Sequence, residues 1–98
     1  LNITLVWQAD GMTAESYTVF VQMIDETGHV LTQQDHIPAD GTRPTTSWVP
    51  AEFIRDEYTL PLPDGNTDYR IIVGMYNGNT LQRLPLRNQS GNSVTLFE

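Results

Sequence analysis

The chain of 98 residues contains no cysteine and no lysine. Without cysteine there is no disulfide, no thiolate nucleophile and no cysteine-based zinc site, although the compartment stays open. All five basic residues are arginines, set against twelve acids, for a net charge of −7. Such a chain repels phosphate backbones and anionic lipid surfaces, so neither nucleic acid nor a membrane surface is expected as a partner. The acidity itself reads as solubility, with a cation-binding face as the alternative. No run approaches the ~18 apolar residues of a membrane span, and no signal-peptide pattern is present. The G-x-G-x-x-G, P-loop and G-x-S-x-G patterns are all missing. His29 and His36 lack the spacing that holds a metal. "DGNTD" (64–68) opens like a calcium loop, but Tyr69 and Met75 stand where glycine and an acid are needed, so it reads as a turn. No cofactor is expected.

What is present is alternation. "LNITLVWQ" puts Leu1, Ile3, Leu5 and Trp7 on one face, and Tyr17, Val19, Val21 and Met23 do the same in "SYTVFVQMID". Tyr69, Ile71, Val73 and Met75 repeat the pattern in "DYRIIVGMYN". A period of two marks strands with one face in a core. Turn chemistry separates them: "ADGM" (9–12), "DETGH" (25–29) with Gly28 supplying a positive φ, "PDGNTD" (63–68), "NGN" (77–79) and "NQSGN" (88–92). The further strands "VLTQQ", "TLQRLPL" and "SVTLF" bring the expected total to about seven. The fold class is therefore all-β, an immunoglobulin-like antiparallel β-sandwich of about seven strands in Greek-key style. Residues 1–98 read as a single domain, excised from a longer chain because it enters a strand at Leu1 with no initiating Met. The expected core is Ile3, Leu5, Trp7, Tyr17, Val19, Val21, Tyr58, Leu60, Ile71, Val73 and Leu96.

The stretch "GTRPTTSWVPAEFIRDEYTLPLP" (41–63) is the least regular. Pro50 suits a first helical position, but Thr59, Pro61 and Pro63 stop any helix at once. Read as a strand from Phe53, it turns Ile54, Tyr58, Leu60 and Leu62 inward, and the prolines mark an edge or an end. Asp56 then shares the inner face, where a carboxylate is costly unless paired. Arg43, Arg55 or backbone amides of the 41–49 loop are its expected partners, making Asp56 a loop-pinning carboxylate. Pro44, with Pro38, stiffens the crossover. Asp35, His36, Arg43 and Trp48 form a candidate ligand rim in which the Trp48 ring stacks a sugar. The alternative is that Trp48 covers one end of the core. No catalytic, cofactor-binding or metal-binding residue is assigned.

The ordered series Trp7, Tyr17–Val21, Asp25, Gly28, Gln33, Asp35, Gly41, Pro44, Thr45, Ser47, Trp48, Asp56, Tyr58, Leu60, Pro61, Tyr69, Arg70, Gly74, Tyr76, Arg83 and Leu84 covers nearly the whole chain. It resembles the C-terminal domain of bacterial multispanning membrane proteins of the family-39-type, dolichyl-phosphate-mannose-dependent glycosyltransferase kind. One departure is local: relatives often read P-G-E where this chain has Pro50-Ala51-Glu52, which weakens any claim to an obligatory tight turn. The resemblance implies an extracytoplasmic sandwich appended to a membrane enzyme, with the catalytic residues elsewhere in that enzyme. Three roles follow. The first is a non-catalytic accessory or interaction domain whose partner is the rest of its own membrane-embedded chain. The second is a carbohydrate-binding module that takes glycans at the Trp48 rim. The third is a small hydrolytic or metal-dependent enzyme.

Overall fold

A computed structural model describes residues 1–9, 11–65 and 68–84, together with the backbone of a strand at 93–96. The chain is all-β. Its strands are β1 (Asn2–Gln8), β2 (Tyr17–Ile24), β3 (Val30–His36), β4 (Phe53–Thr59), β5 (Arg70–Asn77) and the short β6 (Ser93–Leu96). They form two antiparallel sheets, β1-β4 and β3-β2-β5-β6. Fewer strands form among the described residues than the seven expected. "TLQRLPL" contributes only an isolated bridge, Tyr76 to Arg83, with the Leu84 amide donating to the Met75 carbonyl. The physical reason is Leu81, whose left-handed φ of 63° breaks an extended run.

Alternation builds the layers as the sequence suggests. Val19, Val21 and Met23 from β2, and Ile71, Val73 and Met75 from β5, meet Ile54 and Tyr58 from β4 with Leu60 and Trp48 in one core. Ile3, Leu5, Trp7 and Tyr17 pack against that core half-buried. Burying such apolar side chains contributes about 1.5–3 kcal/mol each, so the two sheets hold together chiefly through this layer. Leu96 pairs in register with Ile71, but its side chain lies outside the described residues. Leu62 corrects the expectation of an inward position: β4 ends at Thr59, and Leu62 is 61% exposed.

Local chemistry explains the turns. After β2, Asp25 accepts the amides of Thr27 and His29 and the Thr27 hydroxyl through Oδ1, while Gly28 takes φ 92°. Those bonds, led by the Thr27 hydroxyl, hold the Asp25 carboxyl below its ordinary value. On the outer face of the larger sheet, Gly74 stands beside Phe20 in register, leaving that ring room to lie over the strand. The Arg83 guanidinium sits 4.5 Å above the ring, and Phe20 is buried although it points away from the core.

Candidate functional site

The residues with chemical potential converge on the crossover between β3 and β4. It begins with a left-handed run, Ala39 and Asp40 both at φ 55° and Gly41 at 83°. Only glycine adopts this conformation without a steric penalty. The run is closed by the amides of Gly41, Thr42 and Arg43 donating to the carbonyls of Ile37, Ala39 and Pro38. Pro44 then leads into a 3-10 turn, Thr45–Ser47, and its carbonyl accepts both the Ser47 amide and hydroxyl. Thr45 is buried, donating to the Glu15 carbonyl at 2.7 Å and accepting the Tyr17 amide at 3.0 Å. One hydroxyl thus ties the crossover to the entry of β2.

Asp56 anchors the other end. It is fully buried and pairs in register with Leu5. Its Oδ1 accepts the Ala39 amide at 2.9 Å, and its Oδ2 accepts the Trp7 indole N–H at 3.1 Å and the Tyr58 hydroxyl at 2.7 Å. Three donors replace the water it has lost. The expected arginine partners are corrected: Arg43 pairs with Glu52 at 2.7 Å, and Arg55 pairs with Glu57 at 2.9 Å on the outer face. A guanidinium is costly to strip of water, and Arg55, next in the strand, points to the opposite face. The amide that binds Asp56 comes from Ala39, just before the 41–49 loop. Burial, reinforced by Asp56, pushes the Tyr58 hydroxyl far above its ordinary value.

The four rim residues do not form one rim. Trp48 is 5% exposed and its indole N–H donates to the Arg43 carbonyl at 3.0 Å, so its ring covers the core and offers no face to a sugar. Arg43 is spent on Glu52 and the Ser47 carbonyl, and hydrogen bonding between the pair raises the Arg43 value and lowers that of Glu52. His36 turns inward and stacks on Tyr58, centroids 4.1 Å apart and 9° from parallel. Its Nδ1 lies 2.8 Å from the Ile37 carbonyl, which accepts only and so fixes the proton there. Asp35 alone faces outward. It accepts the Tyr76 hydroxyl at 3.0 Å, beside a shallow groove of about 190 Å³ lined by Phe20, Gln22, Tyr76, Leu81 and Arg83.

Trp7 and Tyr58 were legible as core residues but not as donors. Alternation puts Trp7, Asp56 and Tyr58 on one inner face, and a buried indole N–H requires an acceptor; that combination was the available signal. Among the described residues no group of three His, Asp or Glu side chains is placed to hold a metal ion, and no helix is long and apolar enough to cross a membrane. The calcium-loop-like turn at 64–68 falls partly outside the described residues, at 66 and 67. Compared with protein-family models, curated proteins and solved structures, the chain matches none.

Proposed function

We propose that this chain is a non-catalytic interaction domain, an immunoglobulin-like sandwich carried on the extracytoplasmic side of a membrane-embedded glycosyltransferase. The observation that carries the non-catalytic part is how the polar side chains are spent. Asp56, His36, Arg43 and Thr45, the groups best suited to chemistry, each hold the crossover in place. A fully buried carboxylate already holding three donors is out of hydrogen-bond reach of a substrate. Strand order supports the immunoglobulin-like part. The pairing β1-β4 matches strands B and E of that fold, and β3-β2-β5-β6 matches C′, C, F and G. The membrane setting rests on the ordered series of residues from Trp7 to Leu84, and the natural partner is then the remainder of the same chain.

Absence of cysteine provides the test. A single Thr46→Cys substitution, at an exposed position of the 3-10 turn, is introduced in cells into the parent protein after any cysteine outside these 98 residues has been replaced. Labelling by a membrane-impermeant maleimide without permeabilisation is the expected result. Labelling only after permeabilisation overturns the extracytoplasmic assignment. Turnover of glycosyl or ester substrates by the purified domain, abolished by Asp56→Asn without unfolding, overturns the non-catalytic one.

A further inference from the structure

On one side of β4 the chain had the residues to supply a neighbouring strand and did not. Leu1 and Leu60 exchange both backbone bonds, at 2.7 and 2.9 Å. In an antiparallel ladder such residues alternate with ones whose N–H and C=O groups point away. The register therefore turns Ile54, Asp56 and Tyr58 toward β1, and Phe53, Arg55, Glu57 and Thr59 toward the opposite side. That side faces β3, since the Gln34 side chain accepts the Thr59 amide at 3.1 Å. Residues 37–52, which join β3 to β4, are all described, and they form the left-handed run and the 3-10 turn instead of a strand. Leu1 and β1 lie on the other side of β4, and Leu84 and Ser93 both join β5 in the other sheet.

Among the described residues nothing bonds the outward backbone groups of Arg55 and Glu57. Beside them runs a groove of about 260 Å³ lined by Ala39, Asp40, Arg55 and Glu57. Its far wall is fixed, because the Ala39 amide is held by Asp56. Along β4 the exposed side chains alternate in kind: Phe53, 70% exposed, is apolar, Arg55 is positive and Glu57 is negative. Asp40 adds a second carboxylate to the groove.

The geometry points to an extended segment of a partner polypeptide, added antiparallel to β4 in this groove, with a basic residue two positions before an acidic one. This deepens the reading of the chain as an interaction domain and rests on it. Charges on an edge refuse strands in general, but the order of signs here selects one. Backbone bonds to Arg55 and Glu57 set the register, and side chains directly opposite each other then interact. The basic side chain meets Glu57, with Asp40 in the same groove. The acidic one meets Arg55, and an apolar residue two positions further on meets Phe53. The existing Arg55–Glu57 pair is exposed, so trading it for these contacts costs little. A second copy is the poorer occupant. Its β4 offers Arg55 and Glu57 in the right order, but it brings another Asp40 to the groove and another net charge of −7.

The test titrates the 98-residue chain with the capped peptide Thr-Lys-Thr-Glu-Thr-Val-Thr and follows the backbone amides by NMR. Saturable shifts are expected at Phe53, Arg55 and Glu57. Exchange slows at Arg55 and Glu57, while Ile54, Asp56 and Tyr58 are protected throughout. A peptide with its Lys and Glu exchanged binds about tenfold more weakly. Arg55→Glu combined with Glu57→Arg keeps an oppositely charged pair facing the uncharged Val6 and Thr4. The circular dichroism spectrum is then unchanged and the preference between the peptides inverts. Binding is read on this chain alone, so its failure is separate from a failure of the cysteine labelling. No saturable binding into the millimolar range overturns the proposal, as do equal affinities for the two peptides, a preference indifferent to the charge exchange, or shifts centred away from β4. A chain that dimerises through Arg55 and Glu57 and ignores the peptide makes a second copy the occupant and overturns it too.

Discussion

The molecule makes the same bond twice, a tyrosine hydroxyl donating to an aspartate, in two settings. Tyr58 and Asp56 lie two residues apart on the inner face of β4, both buried, at 2.7 Å. Tyr76 and Asp35 come from different strands of the larger sheet and meet on its outer face at 3.0 Å. Breaking the outer bond lets water take both places. Breaking the inner one strands a carboxylate or its donors where water does not reach, so the cost is desolvation and not the bond alone. The tyrosines register the same contrast. Burial is the first cause in each, followed by the aspartate, and the rise is large for Tyr58 and smaller for Tyr76.

Four substitutions test this comparison. Asp56→Ala leaves the Trp7 indole, the Tyr58 hydroxyl and the Ala39 amide without an acceptor, and is expected to cost about 3 kcal/mol or more in urea unfolding. A loss below about 1 kcal/mol would break the contrast outright. Tyr58→Phe removes one donor of three and should cost about 1.5–3 kcal/mol at neutral pH. It also alters the alkaline limb. The Tyr58 hydroxyl is raised above the 10.0 of an unfolded chain, so below that pH both states keep the proton and its stabilisation is complete. Above it the unfolded chain ionises while the fold does not, and stability falls by about 1.4 kcal/mol per pH unit. Tyr58→Phe should flatten that decline, and an unchanged slope would assign it elsewhere. Ala39→Gly keeps the N–H that Asp56 accepts and removes a left-handed penalty, for an expected gain of about 1 kcal/mol. A loss would mean the Ala39 methyl matters more than its backbone angle. Tyr76→Phe should cost no more than about 0.5 kcal/mol; a cost equal to that of Tyr58→Phe would erase the distinction between the two settings.

Much of this was legible in the sequence, because alternation reports which side of a strand meets the core. Asp56 announced itself by breaking that pattern. Its partners did not, since choosing between an arginine and an indole depends on which side chain the opposite strand delivers. Trp48 was ambiguous because a loop tryptophan has no periodicity to orient it. The Leu81 angle that breaks the expected strand "TLQRLPL" leaves no mark in a residue type that is ordinary in strands. Position 51 is a second case. Ala51 takes φ 67°, an angle that glycine adopts without penalty, although its residue type gives no warning of it. The Glu52 amide still closes the turn on the Val49 carbonyl, so the tight turn persists despite the alanine.

The left-handed run at Ala39, Asp40 and Gly41 also has a consequence in time. An isolated crossover has only its local backbone bonds to hold a conformation that the Ala39 and Asp40 side chains oppose, and the carboxylate that rewards it arrives seventeen residues later with β4. The segment is therefore expected to settle late, after the strands on either side have met. Damage to the Ala39–Asp56 bond should then leave the refolding rate nearly untouched and appear almost wholly as faster unfolding. Among the described residues the crossover is expected to close after the strands that flank it and to open before them.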